Sequence, residues 1–112
     1  MDKELLFKDL SSRLPYGVKV AEFDEKGRKI SNKYTLVWIE NDYSVYGNLK
    51  PYLFPMSSMT KEQRKEYYKM IKYNVTSKDN ANLLDWLNSN HFDYRGLIEK
   101  EMAIDCTNLN IY

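Results

Sequence analysis

The sequence predicts an α+β fold: an N-terminal helix, a small antiparallel sheet of three to four strands, and two further helices. Three patterns carry that expectation. Leucines recur at Leu6, Leu10 and Leu14, the spacing of one helical face. From Val18 onward, runs rich in β-branched and aromatic residues are broken by a glycine turn, as strands are. Thr60-Lys61-Glu62-Gln63 then matches a capping box and announces a second helix. The 112 residues fit one compact domain spanning 1–112, a length that closes a core without disulfides or a structural metal.

Asp2 is placed to cap the first helix, and Pro15 is expected to stop it by disfavouring the α conformation at Leu14. Tyr16-Gly17 leads out. Val18–Phe23 reads as a strand, with Asp24–Gly27 as a hairpin turn whose glycine supplies a positive φ. Tyr34–Glu40 alternates two largely apolar faces, as in a central strand, and Asn41-Asp42 turns the chain into a third strand over Tyr43–Tyr46. In residues 48–60, Pro51 and Pro55 argue against a central strand. That stretch reads as a strap crossing the core. Its exposed alternative is a partner surface made by Tyr52, Phe54 and Met56 together with Lys61, Arg64 and Lys65.

The Thr60 helix should run from Lys61 to about Tyr73 and bury Tyr67, Met70 and Ile71. After a polar connector over Asn74–Lys78, a last helix is expected from about Asp79 to Asn90, with Leu83, Leu84 and Leu87 inward. Leu97–Glu101 suits one helical turn and Ala103–Cys106 an edge strand. The apolar tail Leu109–Tyr112 should dock.

Seventeen basic and sixteen acidic residues, a formal charge of +1, argue against a strong phosphate-tracking surface. The basic face of the 61–72 helix leaves a nucleic-acid contact as the alternative to a protein partner. Cys106 is the only cysteine, so no internal disulfide forms, and a reducing compartment fits. The first ten residues are charged and lack an apolar leader; no long apolar span occurs. A cytoplasmic location without membrane association is therefore expected.

The chemically densest stretch is Asp85–Lys100, and within it His91-Phe92-Asp93-Tyr94-Arg95-Gly96. An imidazole, a carboxylate, a phenol and a guanidinium stand close together there and could supply a base, an orienter and an anion clamp. The economical reading is structural: His91, Asp93, Tyr94, Arg95 and Gly96 form a clasp that ends the last helix and returns the chain to the sheet. One histidine and one cysteine match no zinc spacing, and no phosphate loop or nucleophile elbow occurs. No catalytic, cofactor-binding or metal-binding residues are assigned.

Three blocks carry a resemblance: Leu14-Pro15-Tyr16-Gly17-Val18-Lys19-Val20; Lys50-Pro51-Tyr52-Leu53 with Pro55-Met56-Ser57-Ser58-Met59-Thr60; and His91 through Lys100, HFDYRGLIEK. In these the chain resembles a family of small uncharacterised proteins from gut Bacteroidetes and their prophages. It departs from the family pattern at Phe54, where a basic residue is common, and at Glu101-Met102, where Gly-Leu is usual. The resemblance implies a phage or mobile-element setting and no catalytic residues. The expected function is a non-enzymatic protein-interaction or accessory module. A nucleic-acid-associated protein is the first alternative, and a small enzyme or ligand binder around His91–Arg95 the second.

Overall fold

Asp2 caps the first helix as its position predicts, accepting from the Leu5 amide at 3.0 Å. The computed structural model that shows this describes residues 2–24, 26–35 and 49–112. Helix α1 spans Lys3–Arg13 and buries Leu6 and Leu10 completely. Each buried leucine contributes about 1.5–3 kcal/mol by leaving water. Leu14, expected to complete the stripe, is only half-buried and keeps α backbone (φ −53°, ψ −45°). Pro15 follows in a single 3-10 turn over Leu14–Tyr16, where a first-turn proline loses no hydrogen bond. Gly17 leaves the turn at φ 72°.

Strands β1 (Lys19–Phe23) and β2 (Lys29–Thr35) form the predicted antiparallel hairpin. The Asp24 carboxylate accepts from the Lys26 and Arg28 amides at 3.0 and 2.8 Å, and Gly27 adopts φ 78°. Because the Asp24 amide also donates to the Arg28 carbonyl, pairing begins at Lys29, ahead of the expected start at Tyr34. Most of the expected Tyr34–Glu40 strand, the Asn41-Asp42 turn and the strand at Tyr43–Tyr46 lie outside the described residues.

Where a strap was expected, Leu49–Pro55 forms β3, the strand on which the sheet is centred. The order is β2-β1-β3-β4, with β4 at Phe92–Asp93, and β5 (Ile104–Asp105) also pairs with β3. The Phe54 amide donates to the His91 carbonyl and the Leu53 carbonyl accepts from the Cys106 amide. Those two groups share one peptide unit and point opposite ways, so β4 and β5 flank β3 on opposite edges. The prolines are tolerated because each stands at the end of a ladder: Pro51 is the last residue paired with β1, and Pro55 the last with β4. The sheet is mixed rather than wholly antiparallel, since β4 and β5 run parallel to β3. A parallel partner needs a long crossover, and two helices supply it.

Helix α2 (Lys61–Lys72) opens with the predicted capping box: Thr60 Oγ1 accepts from the Gln63 amide at 3.1 Å, and Gln63 Oε1 from the Thr60 amide at 2.9 Å. Helix α3 (Ser77–Ser89) repeats the device with Thr76 and Asp79, starting before the expected Asp79. Three apolar clusters result among the described residues. Leu6 and Leu10 pack with Val18, Val20, Leu53 and Leu97 under α1; Ala21, Tyr52, Cys106 and Ile111 form a second cluster. Successive β3 residues Tyr52 and Leu53 thus serve different clusters, which explains the unbroken apolar run of that strand. Met59, Leu87 and Phe92 form the third, at the base of the helical pair. Among the described residues, no helix is long and apolar enough to cross a membrane.

Candidate functional site

His91 sits at the first residue past the α3 cap. Asn90 ends the helix, and His91 takes φ 60°, its amide donating to the Asn88 carbonyl at 3.0 Å. That left-handed position is the usual place for glycine after a helix. The turn then divides its functional groups. The Asp93 carboxylate accepts from the Leu97 and Ile98 amides at 2.8 and 2.9 Å, which closes the turn containing Gly96 (φ 73°). Arg95 reaches α1, donating through Nη1 to Asp9 Oδ1 at 2.9 Å and to Ser12 Oγ at 3.1 Å. His91 instead stacks on Tyr112, ring centroids 3.6 Å apart. The three groups that sequence proximity suggested as one site therefore face three directions.

What Arg95 joins is a buried ionic network that the sequence reading missed. Asp9 and Arg13, one helical turn apart on α1, are both fully buried and linked by Arg13 Nε to Asp9 Oδ2 at 2.8 Å. Arg13 Nη2 donates to the Phe92 carbonyl at 2.7 Å. Both guanidinium carbons lie over the Tyr94 ring, at 5.0 and 4.7 Å from its centroid. The Tyr94 hydroxyl donates to Asn88 Oδ1 at 2.9 Å. Burying two cations with one carboxylate is tolerable only with such additional partners. An acid and a base at i, i+4 ordinarily signal a solvated face, so nothing local marked this pair.

A cleft of about 520 Å³ opens beside His91, bounded also by Phe54, Gln63, Asn90, Thr107 and Tyr112. Several of its polar groups are used within the fold: Gln63 Oε1 in the α2 capping box, Asn90 Nδ2 on the Trp86 carbonyl, Thr107 Oγ1 on Asp105. Burial, with the Arg13 and Lys19 charges, lowers the His91 pKa to about 4, so the imidazole is neutral at neutral pH. Its Nδ1 is buried without a partner, and the Asp93 carboxylate that could orient it is engaged elsewhere. Burial and the adjacent Asp105 raise Cys106 to about 11, which keeps that thiol protonated. Among the described residues, no group of three or more His, Cys, Asp or Glu is placed to hold a metal ion.

The expected surface of Tyr52, Phe54 and Met56 is not an exposed strap. Tyr52 is buried, and Phe54 and Met56 are half-buried against the third cluster. The large exposed apolar side chains lie instead on α2 and the connection after it, with Leu109 and Tyr112 at the C-terminal end. Helix α2 buries none of its residues fully. Gln63, Tyr67 and Met70 make its half-buried row, and Tyr67 stacks on Trp86 of α3 at 6.2 Å. Ile71, expected inside, is 44% exposed because it stands outside that row. Tyr68 and Tyr73 are 61% and 60% exposed, and Val75 in the inter-helix connection 83%. Lys61, Arg64 and Lys65 are exposed on the same helix. No family model, curated protein or solved structure matches this chain.

Proposed function

We propose that this chain is a non-enzymatic protein-interaction module whose contact surface is the outer side of the α2–α3 pair. One observation carries the reading: Tyr68 and Ile71 stand exposed side by side on the same face of α2, at 61% and 44%. Large apolar side chains grouped in this way mark contact sites more often than scattered ones do. The non-enzymatic part is supported by the divergence of His91, Asp93 and Arg95, each engaged in the fold. An accessory role in a phage or mobile element, in the cytoplasm, is the setting that the sequence resemblance and the unpaired cysteine favour. A photo-crosslinking residue at Tyr68 should give one discrete protein adduct in the native host, and the same residue at Lys26, exposed in the β1–β2 turn, none. The adduct should vanish with Ile71→Asp in a protein that melts like wild type. Equal labelling from both positions, or none from Tyr68, removes the reading.

A nucleic-acid contact is the second reading. It is favoured by Lys61, Arg64, Lys65, Lys69 and Lys72 on the helix that exposes Tyr68 and Tyr73, two rings available for base stacking. Binding to DNA or RNA at low ionic strength should then weaken steeply with salt. Absent or salt-insensitive binding excludes it.

A further inference from the structure

The exposed surface of α2 is sorted by charge. With 3.6 residues per turn, its side chains fall into four rows. Gln63, Tyr67 and Met70 face the core side. Glu62 and Glu66, the only acids of the helix, share a row with Lys69 and Tyr73, and this flank meets α3 at a hollow that includes Asp79 and Asn82. On the opposite flank stand Arg64, Tyr68 and Ile71, and the adjoining outward row holds Lys61, Lys65 and Lys72. The apolar stripe of Tyr68 and Ile71 is therefore bordered on α2 by four cations and no acid. None of the four is in an ion pair within the described residues.

The same flank opens into a cleft of about 360 Å³ lined by Met56, Ser57, Met59, Arg64, Tyr67 and Tyr68. Two flexible thioethers and two aromatic rings make a pocket that adapts to an apolar side chain. The Arg64 guanidinium at its rim makes one long donation, to the Met59 carbonyl at 3.4 Å, and its remaining N–H groups are free for a carboxylate.

We propose that this flank docks an acidic protein segment that inserts an apolar side chain between Met56, Met59 and Tyr68 and sets its carboxylates on Arg64 and the Lys61–Lys65–Lys72 row. The inference rests on the interaction reading above and names the chemistry of its partner. Charge complementarity selects this occupant. A second copy meeting this flank with its own would oppose cation to cation, and one presenting its Glu62–Glu66 flank would show itself as self-association of the chain. A nucleic acid would use the cations but leave Ile71 and the methionine cleft unfilled.

The test uses the full chain and three fluorescent probes: a synthetic amphipathic peptide with Glu and Asp opposite Leu and Phe, its counterpart with Lys for every acid, and a single-stranded oligodeoxynucleotide. The acidic peptide should bind at low salt, and its Lys counterpart roughly tenfold or more weakly. Arg64→Glu and Tyr68→Ala should each weaken the acidic peptide by a similar factor, while the same charge reversal at the exposed β1–β2 turn, Lys26→Glu, leaves it unchanged. Absence of acidic-peptide binding, equal binding of both peptides, or tighter binding of the oligonucleotide overturns the proposal. So does a dimer by sedimentation that Tyr68→Ala dissolves. The interaction reading is decided separately by crosslinking from Tyr68, so failure of the acidic-peptide test leaves that reading standing.

Discussion

Arg13 Nη2 and the Phe92 carbonyl, 79 positions apart in sequence, meet at 2.7 Å in the interior. The bond ties α1 to the short strand that follows α3, and Asp9 neutralises the cation that makes it. Removing the acid strands that charge. Asp9→Ala should cost about 3–5 kcal/mol. Arg95→Ala, which removes a partner with 18% side-chain exposure, should cost only about 1–2 kcal/mol. Urea denaturation ranks the two, and the reverse order would show that Asp9 is not the centre of the network.

His91 fills a glycine position. Relative to His91→Ala, His91→Gly removes the same ring but relaxes the left-handed backbone at φ 60°. The glycine variant should be the more stable of the pair by about 1 kcal/mol. Equal midpoints in denaturant would mean that the backbone at this corner is unstrained.

Local chemistry was legible in the sequence, and pairing was not. Asp2 and Thr60 cap the helices they were expected to cap, because a cap needs only residues within one turn. The Thr76–Asp79 box obeys the same rule, and reading it would have started α3 correctly. Pro51 and Pro55 misled because their tolerance depends on where each ladder ends, a property of partner strands. Asp9 and Arg13 drew no notice in the sequence, since their burial is decided by Phe92 and Tyr94 at the far end of the chain. At the turn over His91–Gly96, the helix that Arg95 reaches could not be read from neighbours in sequence.

The lowered pKa of His91 makes stability depend on mild acid. Its folded value of about 4 lies below the ordinary 6.5, so between those values the unfolded chain binds more protons than the native one. Stability contributed by the neutral ring is complete above about pH 6.5 and declines as pH falls toward 4. In His91→Asn, which tolerates the left-handed backbone and does not titrate, that part of the decline should be missing. Urea midpoints for both proteins across this interval provide the measurement; parallel curves would remove His91 as the source.

Tyr112 anchors the C-terminal end through both its hydroxyl and its ring. Its hydroxyl accepts from the Lys19 amide and donates to the Tyr52 carbonyl, each at 2.8 Å, and its ring stacks on His91. The residue thus links β1, β3 and the α3 corner, which is why an apolar terminus stays docked beside buried Ile111. Tyr112→Phe keeps the ring and deletes the bridge. It should cost about 1–2 kcal/mol, since two backbone groups lose a partner. Hydrogen exchange at the Lys19 amide should quicken, while amides at Leu97 and Ile98, held by Asp93, stay as slow as in wild type. Unchanged exchange at Lys19 would mean that the hydroxyl bridge is not what holds the tail to the sheet.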